Sequence, residues 1–139
     1  MIVLAVDPGE ARAGCAVSDC TGTIATPVGV VEPPDPDAVA ALAAERGAEL
    51  VVVGLPVSLD GSEGAQARAA RAFRDAVAER VEIPVETYDE RLTTRLADAS
   101  ARAGAEAPAD ALAAAHLLES YLASRETRLS GGEAAAGYS

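Results

Sequence analysis

The chain has 139 residues, half of them hydrophobic, which suits one globular domain with an ordinary core and is too short for two. Its 22 acidic residues outnumber 11 arginines, lysine is absent, and the formal charge of -11 gives no sign of a basic nucleic-acid-binding surface. This acidic, alanine-rich composition is typical of halophiles. Because molar salt shortens the Debye length to ~3 Å, the net charge counts against a nucleic-acid partner without excluding one.

The composition also bounds the cellular setting. No run reaches the ~18 apolar residues of a membrane helix, and the N-terminus lacks the charged start of a signal peptide, so we expect a soluble, cytoplasmic protein without a membrane partner. Cys15 and Cys20 are five residues apart, which in a strand places them on opposite faces and argues against a disulfide or shared metal. Both are predicted to be small buried side chains.

The first third of the chain predicts three strands, at residues 2–6, 14–19 and 24–31. The turns between them are too short for parallel crossovers, so these strands should form an antiparallel meander. Pro27 and Gly29 lie within the third strand and place it at an edge of the sheet.

The remainder alternates helices and strands. A helix at 38–47, with Asp35 or Asp37 as its cap and Gly47 at its end, leads to a buried strand at 49–55 that can run parallel to the first. The loop 56–64 is rich in turn residues and is of the kind that carries function. Further elements are predicted at 63–81 (helix), 83–88 (strand), 93–103 (helix) and 108–123 (helix), and the tail, 124–139, should be disordered.

Acidic residues stand where these elements end or begin. Asp7 directly follows the first strand and precedes Pro8 and Gly9, so it either caps a turn or belongs to a site, because an unpartnered buried carboxylate is costly. Asp89 and Glu90 follow the fifth strand in the same way.

Asp110 lies in the first turn of the last helix. A helical wheel places it on the side that should pack against the sheet, with Ala114, Leu117, Leu118 and Tyr121, and places His116, Glu119 and Ser120 opposite. Converging carboxylates suit Mg²⁺ or Mn²⁺, which would activate water against a phosphodiester. Arg12 and Arg91 would hold phosphates at the rim or form surface ion pairs.

Four motifs resemble, in the same order, the YqgF or RuvX family of ribonuclease-H-like proteins, which is related to the junction resolvase RuvC. They are A-V-D-P-G-E-A-R-A-G, V-V-V-G-L-P-V-S-L-D-G-S-E-G, Y-D-E-R-L-T-T and D-A-L-A-A-A, and they span about residues 2–122. The resemblance implies an α/β ribonuclease-H-like fold in residues 1–123, with a five-stranded mixed sheet in which strands 1–3 are antiparallel and strands 4 and 5 parallel, flanked by helices.

The resemblance also implies an activity and its residues. The activity is metal-dependent endonuclease chemistry on precursor ribosomal RNA or branched DNA, with Asp7, Glu90 and Asp110 as catalytic residues and ligands to Mg²⁺ or Mn²⁺. Gly9, Arg12, Asp60 and Arg91 are expected to contact substrate. A RuvC-like enzyme carries an acid at the end of its fourth strand, where this chain reads G-L-P, so Glu90, Asp89 and Asp60 remain alternatives for the second ligand.

Two other classes compete with the nuclease. An actin-like or sugar-kinase ATPase shares the strand, D-x-G turn and hairpin but requires two lobes, and this length supplies one. A non-catalytic RNA- or protein-binding module would keep the fold and leave the acids unused. The choice between RNA and DNA substrates, and between monomer and homodimer, stays open.

Overall fold

The computed structural model describes residues 1–56, 63–90 and 109–138, with side chains in the last segment described as far as Arg125. These residues form five strands and three helices. In chain order they are β1 (Val3–Pro8), β2 (Ala13–Ser18), β3 (Ala25–Val31), α1 (Pro36–Arg46), β4 (Leu50–Leu55), α2 (Ala65–Ala78), β5 (Val85–Asp89) and α3 (Ala109–Tyr138). The predicted helix at 93–103 lies outside the described residues.

The sheet has the order β3-β2-β1-β4-β5, and the predicted mixed topology is confirmed. β1, β2 and β3 form the antiparallel meander, and β4 and β5 run parallel to β1. β3 is an edge strand, as Pro27 and Gly29 predict, and the β2–β3 register shifts opposite these two residues. α1 begins with Asp35 as its cap and ends at Gly47, whose φ of 67° is the left-handed conformation that glycine favours.

Two apolar layers cover the sheet, because strand residues alternate between its faces. α3 covers the face that carries Val3, Ala5 and Val52, while α1 and α2 cover the face with Leu4, Val6 and Val53. The carboxyl ends of β1, β4 and β5 therefore lie together at one edge, between the two helical layers.

The last helix differs from its prediction in two respects. It continues to Tyr138, past the predicted end near residue 123, so the backbone is helical where a disordered tail was expected; the domain boundary at 123 stays a prediction. His116, Glu119 and Ser120 are buried with the residues on the other side of the wheel, so the one-sided assignment is wrong. Small alanines let the helix be enclosed on several sides, and polar groups there find partners, such as the Ser120 hydroxyl 3.0 Å from that of Tyr88.

The prediction for the cysteines is half right. Cys15 is buried, and desolvation raises the pKa of its thiol to about 11, whereas Cys20 follows β2 and is exposed. None of the described helices has the length and apolar character needed to cross a membrane.

Candidate active site

The alternation of the strands brings four site positions to one face of the sheet. Asp7, Gly54 and Glu90 follow Ala5, Val52 and Tyr88 by two residues each, and those three belong to the apolar layer beneath α3. Gly14 is the antiparallel partner of Asp7 on β2 and shares that face. At the carboxyl edge of the sheet, the face that packs on α3 therefore ends in two acids and two glycines.

Glu90 reaches into this edge across Gly54. A Cβ at residue 54 would lie 2.7 Å from Glu90 Oε1 and 3.1 Å from Leu117 Cδ2, so the missing side chain is the space that the carboxyl group occupies. The fourth strand has a glycine where the resemblance leads one to look for an acid, and the carboxyl group of Glu90, the residue after β5, occupies the space beside it. Among the alternatives for the second site carboxylate, the structure brings Glu90 to Asp7.

Asp7 and Glu90 are hydrogen-bonded to each other through their carboxyl groups. Burial, this hydrogen bond and the negative charges of Asp7 and Asp89 together raise the pKa of Glu90 to about 8. Two carboxylates this close cannot both be ionised cheaply unless a cation or a proton lies between them. In the metal-free protein a proton held by Glu90 fulfils that need near neutral pH.

Asp110 is positioned through its backbone rather than by burial of its side chain. A Cβ at Gly14 would lie 1.9 Å from the Asp110 carbonyl oxygen. The first turn of α3 therefore rests directly on β2 at Gly14, which is the strand partner of Asp7. The Asp110 carboxylate is 49% exposed and lies 3.5 Å from Arg12 Nε, which is equally exposed. The helical wheel predicts the Asp110 side chain on the sheet side of the helix, whereas the carboxylate is half exposed and paired with Arg12.

The other predicted contact residues divide into two groups. The N–H of Gly9 donates to the Arg12 carbonyl oxygen at 2.9 Å. This hydrogen bond closes the turn between β1 and β2 and uses the amide that a substrate would otherwise contact. Asp60 and Arg91 lie outside the described residues, and their roles stay predictions.

The described residues hold no group of three or more His, Cys, Asp and Glu side chains close enough to share a metal ion. Of the three predicted ligands, Asp7 and Glu90 form a hydrogen-bonded pair, and Asp110 pairs with Arg12. The pair itself suits a hard divalent cation, since it offers only oxygen donors and has a charge that a cation would neutralise.

A groove of about 450 Å³ opens at this edge, beside the carboxylate pair. The turn after β1 and Pro34 and Pro56 form its sides, and α2 forms its wall with Gln66, Ala69, Ala70 and Phe73. Sequence reasoning missed this wall and the contact of Gly14 with Asp110. The sequence contains only partial traces of these features, namely the spacing of three and four residues on α2 and the glycines at positions 14 and 54, and these traces do not show which element approaches each position.

Comparison with known proteins agrees with the motifs and the fold. The family model described as "RuvX: Holliday junction resolvase" matches residues 1–124. A protein of Thermobifida fusca named "Putative pre-16S rRNA nuclease" is 52% identical over 105 residues, which cover 73% of this chain and 66% of that protein. One of the same name from Chloroflexus aurantiacus is 38% identical over 136 residues, covering 91% of this chain and 89% of the relative.

Solved structures share the fold at low sequence identity. RuvC of Thermus thermophilus in complex with a Holliday junction substrate superposes with a TM-score of 0.63 at 18% identity, over 91% of this chain and 96% of that one. The Fowlpox virus resolvase, solved with Holliday junction DNA, gives 0.56 at 13% identity, over 89% of this chain and 98% of that one. These likenesses show the ribonuclease-H-like resolvase fold, and the match over residues 1–124 shows that the chain belongs to the RuvX family.

Proposed function

We propose that this protein is a metal-dependent endonuclease that hydrolyses a phosphodiester bond in structured nucleic acid. The observation that carries the proposal is the Asp7–Glu90 pair at the carboxyl edge of the sheet, where the pKa of Glu90 is raised to about 8. Two acids held against each other in a cleft cost stability, and groups whose pKa is perturbed in this way cluster at functional sites, which supports the assignment. Membership of the RuvX family supports the same activity.

Asp7 and Glu90 would hold Mg²⁺ or Mn²⁺, with Asp110 as the third acid. When bound, the metal would supply an activated water and stabilise charge on the departing oxygen. The chain's own residues prepare the site: β1 carries Asp7, Glu90 directly follows β5, and Gly54 leaves room for the Glu90 carboxyl group. Glu90 must lose its proton for the pair to take up a cation.

Arg12 is the described cation nearest to the predicted catalytic acids, through its contact with Asp110. Its guanidinium is half exposed, so it is placed to donate forked hydrogen bonds to a phosphate oxygen of a bound strand. If a phosphate draws Arg12 away, the ion pair with Asp110 would open and leave the Asp110 carboxylate free to serve as the third acid.

The precursor of 16S ribosomal RNA is the substrate that the curated relatives favour, since their names refer to it and they reach 52% identity. The structural neighbours bound to junction DNA are more remote, at 18% identity or less. An rRNA substrate would place the protein in the cytoplasm. Whether it acts as a homodimer stays a prediction.

The test is cleavage of a precursor 16S rRNA fragment and of a four-way DNA junction, each with Mn²⁺, Mg²⁺ or chelator. Because a charge of -11 repels nucleic acid, the assay should include high salt, which screens that repulsion. We expect metal-dependent cleavage that Asp7→Asn and Glu90→Gln each abolish. Asp75→Asn is the matched control, since Asp75 is an exposed acid on α2 that pairs with Arg74.

Unchanged cleavage in both site variants would refute the assignment of the active site to Asp7 and Glu90, and a wild type without metal-dependent cleavage would refute the nuclease assignment. Binding of RNA without cleavage by the wild type, unaffected by either substitution, would instead support the non-catalytic module. Thermal unfolding of each variant shows whether a loss of activity comes from the site or from the fold.

A further inference from the structure

The groove beside the carboxylate pair has an apolar wall that the proposed hydrolysis does not use. Gln66, Ala69 and Phe73 follow one another along α2 at intervals of three and four residues, so they share one helix face. Gln66 and Ala69 are exposed and Phe73 is half-buried. At about 450 Å³ the groove falls within the ~300–1,000 Å³ typical of sites for small ligands.

Charge decides which part of a nucleic acid suits this wall. The described residues that line the groove include three acids, Asp7, Glu10 and Glu90, and no arginine. Among the described lining residues, a phosphate lying along the wall would meet these negative charges and no side-chain cation. A neutral, flat, mostly apolar group meets no such penalty, and the bases are the parts of a nucleic acid with that character.

Phe73 suits stacking because of where it is held. It is the only phenylalanine of the chain, and its buried side packs against the core cluster beneath α1 and α2. That packing fixes the ring, while its open side faces the groove. A rigid aromatic surface gives up little entropy when a base stacks on it, and Gln66, one turn of helix away from Ala69 and Ala70, offers an amide to the base edge.

We propose that this groove is a subsite for one unpaired nucleobase next to the scissile phosphodiester, stacked on Phe73 with Gln66 at its edge. The inference rests on the proposed nuclease function and names the feature of the substrate that the site selects: a nucleotide whose base is unstacked and turned out. Single-stranded segments, bulges and opened junctions present such bases, whereas a continuous duplex does not.

The first test is a double-mutant cycle between Phe73 and the base. Phe73→Leu keeps an apolar side chain but removes the ring, and substrates lacking one base are prepared for each position flanking the cleavage point. We expect Phe73→Leu and the critical base deletion each to lower kcat/KM by about tenfold, and their combination to cost little more than either alone. If the losses in kcat/KM from Phe73→Leu and from the base deletion multiply at every position, the two do not interact and the proposal is overturned.

Leu42→Ala is the control for packing, because Leu42 contacts the same core cluster from α1 and does not line the groove. It should destabilise the protein without changing the dependence on any base. If Leu42→Ala reproduces the effect of Phe73→Leu on the base-deletion series, Phe73 acts through the core and the proposal is wrong.

The second test does not depend on cleavage. The chain has no tryptophan, so Phe73→Trp places a single, selectively excitable indole at the wall. A short adenosine oligoribonucleotide should quench its fluorescence, and a sugar–phosphate oligomer of the same length and charge without bases should not. Equal responses to both oligomers, or none to either, would overturn the proposal.

The two tests separate the two claims. If the wild type shows no metal-dependent cleavage, the proposed function fails, and if Asp7→Asn and Glu90→Gln leave cleavage unchanged, its assigned site fails, whatever the fluorescence shows. If those variants are inactive but the indole does not respond to bases and the cycle shows no coupling, the function stands and the base subsite is refuted. A response to an apolar peptide with none to the oligonucleotide would also refute it, since the occupant would then be protein.

Discussion

Gly54→Ala should separate activity from stability at this site. The new Cβ would lie 2.7 Å from Glu90 Oε1, well inside the 3.4 Å at which ordinary van der Waals contact begins, so the carboxyl group must move by roughly 0.7 Å. The carboxyl is the far end of a flexible side chain and moves cheaply. Leu117, at 3.1 Å, needs to give by only a few tenths of an ångström.

The energetic cost of the substitution is therefore small. Replacing glycine by alanine also restricts the unfolded chain, which contributes ~0.4–1 kcal/mol in favour of folding, so we expect a net change in stability below about 1 kcal/mol. Catalysis is less forgiving, because misplacing a catalytic group by ~1 Å can cost about 100-fold in rate. Gly54→Ala should accordingly lower metal-dependent cleavage by one to two orders of magnitude while leaving the melting temperature almost unchanged.

The assay compares initial rates and melting curves for Gly54→Ala and Gly64→Ala. Gly64 is the matched control, because a Cβ there meets no atom of the described residues within 4 Å. Combining Gly54→Ala with Glu90→Asp shortens the acid by one methylene and should recover part of the activity if crowding of this carboxyl is the cause. Full activity in Gly54→Ala would refute the reasoning, since Glu90 would then not be needed where the structure places it.

Three further predictions concern the same edge. Gly14→Ala should destabilise the protein strongly as well as inactivate it, because the added Cβ meets the backbone carbonyl of Asp110 at 1.9 Å, and chemical unfolding measures the loss. Since the pKa of Glu90 is raised from 4.5 to about 8, the folded metal-free protein binds this proton more tightly than the unfolded chain. The stability of the metal-free protein should fall as pH rises from 4.5 to about 8, and its apparent affinity for Mn²⁺ should rise over the same range. Melting curves in chelator measure the first effect and Mn²⁺ titrations the second. Glu90→Gln should flatten both pH dependences. Arg12→Ala should raise KM for nucleic acid more than it lowers kcat, and an unchanged KM would exclude Arg12 from phosphate binding.

The sheet was predictable because its signals are local. Short turns require β1, β2 and β3 to be antiparallel, and Pro27 and Gly29 mark an edge strand. The place of Asp7 follows from the same reasoning, since a buried strand that ends in an acid directs that acid to the sheet edge. Glu90 was harder to assign, because one residue decides the face: Glu90 continues the side of Tyr88, and Asp89 does not.

Features that depend on how distant elements meet were not predictable. The space over Gly54 and the contact of Gly14 with Asp110 arise only when α3 packs on the sheet. The groove wall arises from how α2 lies beside the edge, which periodicity cannot fix. The buried positions of Glu119 and Ser120 were mispredicted because a helical wheel assumes one covered face, and an alanine-rich helix can be enclosed on several.

The most direct test of the central claim is a crystal structure grown with Mn²⁺ and measured for anomalous scattering. We expect a Mn²⁺ peak between the carboxylates of Asp7 and Glu90 in the wild type, and no peak there in Glu90→Gln. A wild-type structure in which Mn²⁺ binds elsewhere, with Asp7 and Glu90 still hydrogen-bonded to each other, would contradict the account.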